Sequence, residues 1–320
     1  MNLETLPRVS LAALPTPVQE LPRLSRALGR TLWIKRDDLT GLALGGNKTR
    51  KLELLCADAL EHNADTLITC GAPQSNHCRQ TAAAAAKLGL RCVLVLAGDP
   101  QPADSGNLLL DSLVGAELVW SGNLPRDPAA QAAFSAERSA GRRPYLIPYG
   151  GSNPLGAAAY ALAMLELKNQ NVRPDWIVFA SSSSGTQTGM ILGAKLYQLT
   201  ARICGISVDW SAQVLREIIF ALLQETVRTF GGTESFLPES ILIDDRFLGA
   251  GYGKPGTLER EAIRRFAREE GILLDPVYTG RAAGGMLEMI RRDEIPSSDS
   301  VLFWHTGGIP AIWAYAREIL

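Results

Sequence analysis

Between residues 66 and 304, short apolar runs alternate with longer segments of helical periodicity, and few residues separate one from the next. Runs such as Arg91-Cys92-Val93-Leu94-Val95-Leu96 and Trp176-Ile177-Val178-Phe179-Ala180 are apolar at successive positions, which reads as strands covered on both faces. Strands are expected at 66–70, 91–96, 117–120, 145–148, 176–180, 202–206 and 301–304. Helices are expected near 76–88, 106–114, 129–139 and 155–167, with a long one ending near 229. Parallel neighbours need a crossover, and a helix supplies it. The expected fold is therefore α/β, with two open, twisted, mainly parallel sheets flanked by helices. At 320 residues the chain is about twice the roughly 150 residues of a typical domain. Two lobes with a cleft between them are expected: a smaller one over 48–154 and a larger one over 1–47 and 155–320.

The N-terminal segment departs from this rhythm. Pro7, Pro15, Pro17 and Pro22 read as an extended arm laid over another surface, a helix over 21–28 is expected to stop at Gly29, and 31–35 reads as a strand. The formal charge of −1, with Lys and Arg scattered, argues against nucleic acid or an anionic membrane as partner, so function is expected in a pocket. No apolar run is long enough to span a bilayer, and residues 1–14 lack a basic start followed by an apolar core. A cytoplasmic location is expected. The five cysteines, Cys56, Cys70, Cys78, Cys92 and Cys204, form no CxxC pair and fall in apolar or helical patterns, which reads as reduced core residues. Cys70, His77 and Cys78 do not make a metal site, because adjacent side chains diverge along a helix and no second ligand pair exists. No metal is expected.

One stretch concentrates chemistry: Gly45-Gly46-Asn47-Lys48-Thr49-Arg50-Lys51, two glycines and a lysine where a loop becomes a helix. By itself such a lysine is an ordinary solvated residue, since buried lysines are rare. Four further loops are each expected at the carboxyl end of a strand, where open α/β sheets place ligands. Gly71 to His77 enters an alanine-rich helix, with Ser75 and Asn76 as candidate caps. Ser181 to Gly189 has the composition of a phosphate cradle, with small residues, hydroxyls and free N–H groups. Asp275 to Gly280 and His305-Thr306-Gly307-Gly308 complete the set. Residues 41–49 imitate a nucleotide P-loop, yet Asn47 stands where that motif needs glycine and the preceding residues are charged and polar. No GxGxxG follows a strand. An anion site together with a loop-held lysine points instead to pyridoxal phosphate, whose aldehyde takes an amine and whose phosphate needs an anion cradle.

The order of GGNKTRKLE, GAPQSNHCRQTAA, the serine-glycine-threonine loop, GYG at Gly251 to Gly253, LLDPVYTG and HTGG is similar to that of one family. It joins 1-aminocyclopropane-1-carboxylate deaminase and D-cysteine desulfhydrase, among the tryptophan-synthase-β-like, fold-type II pyridoxal-phosphate enzymes. The resemblance spans nearly the whole chain. It implies that Lys48 carries pyridoxal phosphate as a Schiff base in the interdomain cleft and that Asn76 meets the ring hydroxyl. It further implies that Ser184, Gly185, Thr186 and Gln187, with Lys51, hold the phosphate. Ser75, Asn76 and His77 are expected at the substrate carboxylate, Tyr252 and Tyr278 on the substrate side, and a homodimer as the assembly. The connection 97–104 is shorter than the family usually carries, which leaves substrate size open.

Within the family, the deaminase pattern resembles Tyr-Glu in the third loop and His-Leu-Gly-Gly in the fourth, whereas this chain has Tyr278-Thr279 and His305-Thr306. A carboxylate beside the pyridine nitrogen strengthens the electron sink, and threonine does not. The weaker sink suits elimination of a thiolate, whose thiol has a pKa of about 8.5, better than opening of a cyclopropane. The expected reaction is β-elimination of D-cysteine to pyruvate, sulfide and ammonia, with Lys48 or a tyrosinate from Tyr252 or Tyr278 removing the α-proton. The alternatives are a cysteate sulfo-lyase, which needs a further cation for the sulfonate, the deaminase itself, and a pyridoxal-phosphate-binding protein without turnover.

Overall fold

The structure, a computed structural model, describes residues 1–320 and contains two sheets. In chain order the elements of the first part are β1 (Val18–Glu20), α1 (Pro22–Leu28), β2 (Leu32–Arg36) and α2 (Lys48–Glu61). There follow β3 (Thr66–Gly71), α3 (Asn76–Leu88), β4 (Arg91–Leu96), α4 (Gly106–Leu113), β5 (Glu117–Trp120), α5 (Arg126–Ser139) and β6 (Pro144–Leu146). The remainder is α6 (Pro154–Asn169), β7 (Trp176–Ser181), α7 (Gly185–Tyr197), β8 (Arg202–Ser207), α8 (Ala212–Thr229), β9 (Leu242–Asp244), α9 (Thr257–Glu270), α10 (Thr279–Arg291) and β10 (Val301–His305). Two short helices, α11 (Ala311–Ala314) and α12 (Ala316–Ile319), close the chain where a single final helix is expected, because Tyr315 breaks the run.

The smaller sheet has the order β5-β4-β3-β6 and is parallel throughout. The larger has the order β1-β2-β10-β7-β8-β9 and is parallel except for β1, which pairs antiparallel with β2. Four elements are missed: the strands β1 and β9, and the helices α9 and α10, where only short elements are expected. The two strands are three-residue edge strands, and Pro17 and the polar Gln19 and Glu20 are tolerated at an edge but carry no strand pattern. The proline-rich arm ahead of β1 runs over α2, where Glu53 Oε1 accepts the N–H groups of Leu11 (3.0 Å) and Ala12 (2.9 Å). All five cysteines are buried and free. No helix is long and apolar enough to cross a membrane.

Local chemistry sets the helix starts around the cleft. Ser75 Oγ accepts the N–H of Cys78 (3.2 Å) and starts α3, which ends at Gly89 with φ 70°. Asn153 Oδ1 accepts the N–H of Gly156 (2.9 Å), and Pro154 takes the first position of α6. α6 and α7 approach closely because glycine leaves the room: a Cβ on Gly189 would lie 2.1 Å from the carbonyl oxygen of Ala157. The start of α7 is thereby set beside the start of α6.

A buried polar knot ties α2 to the larger sheet. Asp37, which follows β2 and is fully buried, accepts from Thr16 Oγ1 (2.9 Å), Arg50 (2.8 and 3.0 Å), Tyr160 Oη (2.6 Å) and Trp304 Nε1 (2.8 Å). Arg50 also donates to Glu166 (2.8 and 2.9 Å), which accepts in addition from Lys35 and from the N–H of Thr16 (3.0 Å). Burial opposes the Asp37 charge, but the Arg50 guanidinium and the phenol and indole donors hold its carboxyl below the usual range. Replacing Asp37 with Ala removes one of the two carboxylates paired with the buried Arg50 and leaves the Tyr160 and Trp304 donors without an acceptor, and is expected to cost about 3–5 kcal/mol. Urea unfolding is expected to show a lower midpoint at unchanged slope, and an unaltered midpoint contradicts the role given to this knot.

Candidate active site

Gly45 and Gly46 adopt φ 67° and 129°, and a Cβ on Gly45 would lie 2.1 Å from the carbonyl oxygen of Asp38, so the turn before α2 demands glycine. Gln80 of α3 fixes the other side of the turn, its Oε1 accepting the N–H (2.8 Å) and hydroxyl (2.9 Å) of Thr49. Lys48 is the first residue of α2. Its Nζ lies 3.3 Å from both the carbonyl oxygen of Gly150 and Ser183 Oγ, at the cleft between the sheets. One turn on, Lys51 Nζ donates to Gly150 O (3.0 Å). Burial lowers the Lys48 pKa to about 8, with Lys51 and Asp209 working the other way. Burial, and then the Lys48 charge, holds Lys51 well below the usual lysine value.

The serine loop leaves β7 and enters α7 through Ser184, a non-glycine residue at φ 71°. The N–H of Gly185 donates to Ser152 Oγ (3.1 Å), while the N–H groups of Thr186 and Gln187 make no hydrogen bond within the chain. A Cβ on Gly185 would lie 2.8 Å from Ser152 Oγ and 3.0 Å from Lys51 Nζ. Helix N-terminus, hydroxyl and amine thus converge on one point, a geometry that receives an anion. The Gln187 side chain turns away and donates to Leu242 O (2.7 Å), so its contribution is its main-chain N–H.

A cavity of about 570 Å³, counting its open mouth, joins these features. Of the residues singled out in the sequence, Lys48, Ser75, Asn76, His77, Ser184, Thr186, Tyr278 and Thr306 line it. Lys51, Gly185 and Gln187 stand at the anion cradle behind the wall rather than on it, and none of residues 97–104 reaches the cavity. The N–H groups of Asn76 and His77, at the start of α3, have no partner within the chain. The His77 ring is neutral: its pKa is held well below 6.5 by burial and then by the charges of Lys48 and Lys51. His77 Nε2 lies 2.8 Å from Thr69 Oγ1, which is also 2.9 Å from Ile147 O, and Nδ1 is buried without a partner in the chain.

Tyr252 lies off the cavity wall but is joined to Tyr278 by a 2.6 Å hydroxyl contact and an edge-on ring packing at 5.9 Å. Burial pushes both phenols up, the Tyr278 phenol well above the usual tyrosine value, so both are proton donors rather than tyrosinates. The loop carrying Tyr252 is held by the buried Arg281, which donates to Gly251 O and Lys254 O (3.1 and 3.2 Å). Thr279 sits at the start of α10 outside the cavity lining, and its hydroxyl is committed to Asp275 Oδ1 (2.7 Å); Thr306 is the threonine on the wall. Asn47 and Ser183, inside the two highlighted stretches but given no role of their own there, also line the cavity, as do Tyr149 and Gly150, which the sequence reading does not single out. The Gly150-Gly151 pair after β6 was the available signal, since a Cβ on Gly150 would lie 2.1 Å from Ser183 Oγ.

A family model described as pyridoxal-phosphate dependent enzyme matches residues 9–307. The D-cysteine desulfhydrase of Yersinia enterocolitica serotype O:8 / biotype 1B is 44% identical across 99% of this chain and 98% of its own length. That of Klebsiella pneumoniae subsp. pneumoniae is 44% identical across 98% of each. A solved structure described as an ACC deaminase homologue superposes with a TM-score of 0.91 at 39% identity, covering 99% of this chain and 96% of its own.

Because burial penalises the ammonium form, Lys48 in the cofactor-free protein is expected to react with an arylating reagent with a pH midpoint near 8. Ordinary lysines have a midpoint of about 10.4. Peptide-level mapping of the label across pH measures it, and a midpoint in the ordinary range contradicts the electrostatic account of the cleft.

Proposed function

The chain belongs to the pyridoxal-phosphate-dependent enzymes, in the fold-type II branch shared by D-cysteine desulfhydrase and 1-aminocyclopropane-1-carboxylate deaminase, and on that premise we propose that it converts D-cysteine and water to pyruvate, hydrogen sulfide and ammonia. The residues fit the cofactor. The anion cradle at Gly185, Thr186, Gln187, Lys51 and Ser152 suits the phosphate, and Lys48 Nζ suits the aldehyde. Pyridoxal phosphate supplies an aldehyde that takes up amino groups and a conjugated ring that spreads the electron pair left by a departing α-proton. Thr306, a neutral alcohol on the wall, suits the ring-nitrogen side, with Thr279 tied to Asp275 behind it.

The chain's own groups divide the remaining work. The N–H groups of Asn76 and His77 and the hydroxyl of Ser75 hold the substrate carboxylate at the positive end of α3. Lys48 Nζ accepts the α-proton, because an amine with a pKa of about 8 is partly neutral at working pH. Tyr278, backed by Tyr252, gives a proton to the departing sulfur. The observation that carries the reading is that Lys48, Tyr278 and the free N–H groups of Asn76 and His77 meet in one cavity, with burial lowering the amine and raising the phenol. A guanidinium, that of Arg126, stands in the adjoining cavity that shares Tyr149 and Ser182 to Ser184, where it stacks on the Tyr149 ring at 3.7 Å. We further take the chain to act as a cytoplasmic homodimer, with its smaller lobe over 48–154 and its larger one over 1–47 and 155–320.

Purified protein is expected to release pyruvate and sulfide in equal amounts from D-cysteine. Lys48→Ala is expected to abolish turnover, and Tyr278→Phe to lower kcat by roughly a hundredfold, the lower end of what a positioned proton donor contributes. Pyruvate assays with D-cysteine, L-cysteine, cysteate and 1-aminocyclopropane-1-carboxylate test the assignment. Turnover confined to the cyclopropane contradicts it.

A further inference from the structure

The polar contacts behind Asn76 bear on how the cavity wall treats negative charge. Asn76 Oδ1 accepts from Asn107 Nδ2 (3.0 Å) and, at the long end, from Arg79 (3.4 Å). An amide whose oxygen faces two donors presents its NH₂ on the opposite side, and Asn76 lines the cavity with that NH₂ unengaged by the chain. Asn107, the second residue of α4, is itself fixed. Its Nδ2 donates to Gln74 O (2.7 Å), its N–H to Gln74 Oε1 (2.7 Å), and its Oδ1 accepts from Arg79 (3.0 Å). Turning either amide over sets donor against donor or acceptor against acceptor, so both orientations are determined.

Arg79 of α3 is fully buried and also donates to Gly45 O. It forms no ion pair within 4 Å; Asp111 on α4 and Asp275 ahead of α10 act on it from farther away. Burial lowers its pKa only to about 10, so it remains a cation at neutral pH. A buried full charge one amide behind the wall polarises that amide and favours an anionic oxygen at the place Asn76 Nδ2 faces. With the phosphate assigned to the cradle at α7, the cofactor's remaining anionic group is its ring oxygen.

We propose that Arg79, locked in place by Asn107, is a positioning residue that makes Asn76 a one-way donor to the cofactor's ring oxygen and holds that oxygen as the phenolate. This rests on the placement of pyridoxal phosphate in the cavity given under the proposed function, though not on the identity of the substrate.

The test follows the visible absorbance of the cofactor-loaded enzyme against pH and reads the midpoint at which the bound cofactor loses its proton. Arg79→Gln removes the cation and is expected to raise that midpoint by about one unit, a tenfold change in proton affinity, and to weaken cofactor retention on dilution. The same substitution in an Asn76→Ala background is expected to add no further shift, since the coupling runs through that amide. Asn107→Leu, which keeps the guanidinium but frees the amide to turn, is expected to shift the midpoint in the same direction by less, and serves if Arg79→Gln does not fold. Unchanged midpoints in the single variants, or a full additive shift in the double variant, overturn the proposal. The unmodified protein separates the two possible failures. Absence of any cofactor band overturns the cofactor placement and the proposal with it, whereas a normal band with unmoved variant midpoints overturns the proposal alone.

Discussion

The Asp37 carboxylate is the fixed point of the molecule. It is fully buried, and its donors come from the N-terminal arm (Thr16), α2 (Arg50), α6 (Tyr160) and β10 (Trp304), so one acid orients four segments that are distant in sequence. With Lys35 and Glu166 completing the set, the knot holds two cations against two carboxylates and leaves no net charge under the sheet. Arg50 lies two residues beyond Lys48 on the same helix. Fastening Arg50 therefore fastens the amine, and the glycine turn ahead of it prevents the helix from starting anywhere else.

What this rigidity supports is a cleft with graded protonation. Lys48 is lowered by burial, the phenols of Tyr252 and Tyr278 are raised by it, and the His77 imidazole is kept neutral. Burial acts in one direction, against charge, so amine, phenol and imidazole all approach their neutral forms while the helix N-termini of α3 and α7 and the Arg79 cation supply positive potential. Such a cleft suits a ligand that brings its own negative charges, which is the chemistry of a phosphorylated cofactor and an amino-acid carboxylate. The resemblance to D-cysteine desulfhydrases over nearly the whole chain agrees with that reading.

Much of the fold is legible in the residues because the interior strands are apolar at successive positions and α3, α6 and α8 begin at polar caps. The expected bounds 76–88, 91–96 and 117–120 coincide with α3, β4 and β5. The edge strands β1 and β9 are illegible for the converse reason: half of their surroundings is solvent, and three residues carry no period. At the site, the loops following strands announce Lys48, Ser75 to His77, Ser184, Thr186 and Thr306, because ligand-facing residues gather where parallel strands end. Arg79 and Asn107 have no such signal, since each acquires its role from a neighbour brought close by the fold. The engagement of Thr279 had a local cue. Asp275-Pro276 begins a turn in which the Asp275 carboxylate accepts the N–H groups of Val277, Tyr278 and Thr279, and the Thr279 hydroxyl joins them.

The most direct measurement is chemical. Borohydride reduction of the cofactor-loaded protein, followed by peptide mapping, is predicted to place the reduced pyridoxyl group on Lys48, with Lys51 one turn away left unmodified. A label on Lys51, or on any other residue in place of Lys48, would contradict the claim that this helix start holds the reactive amine.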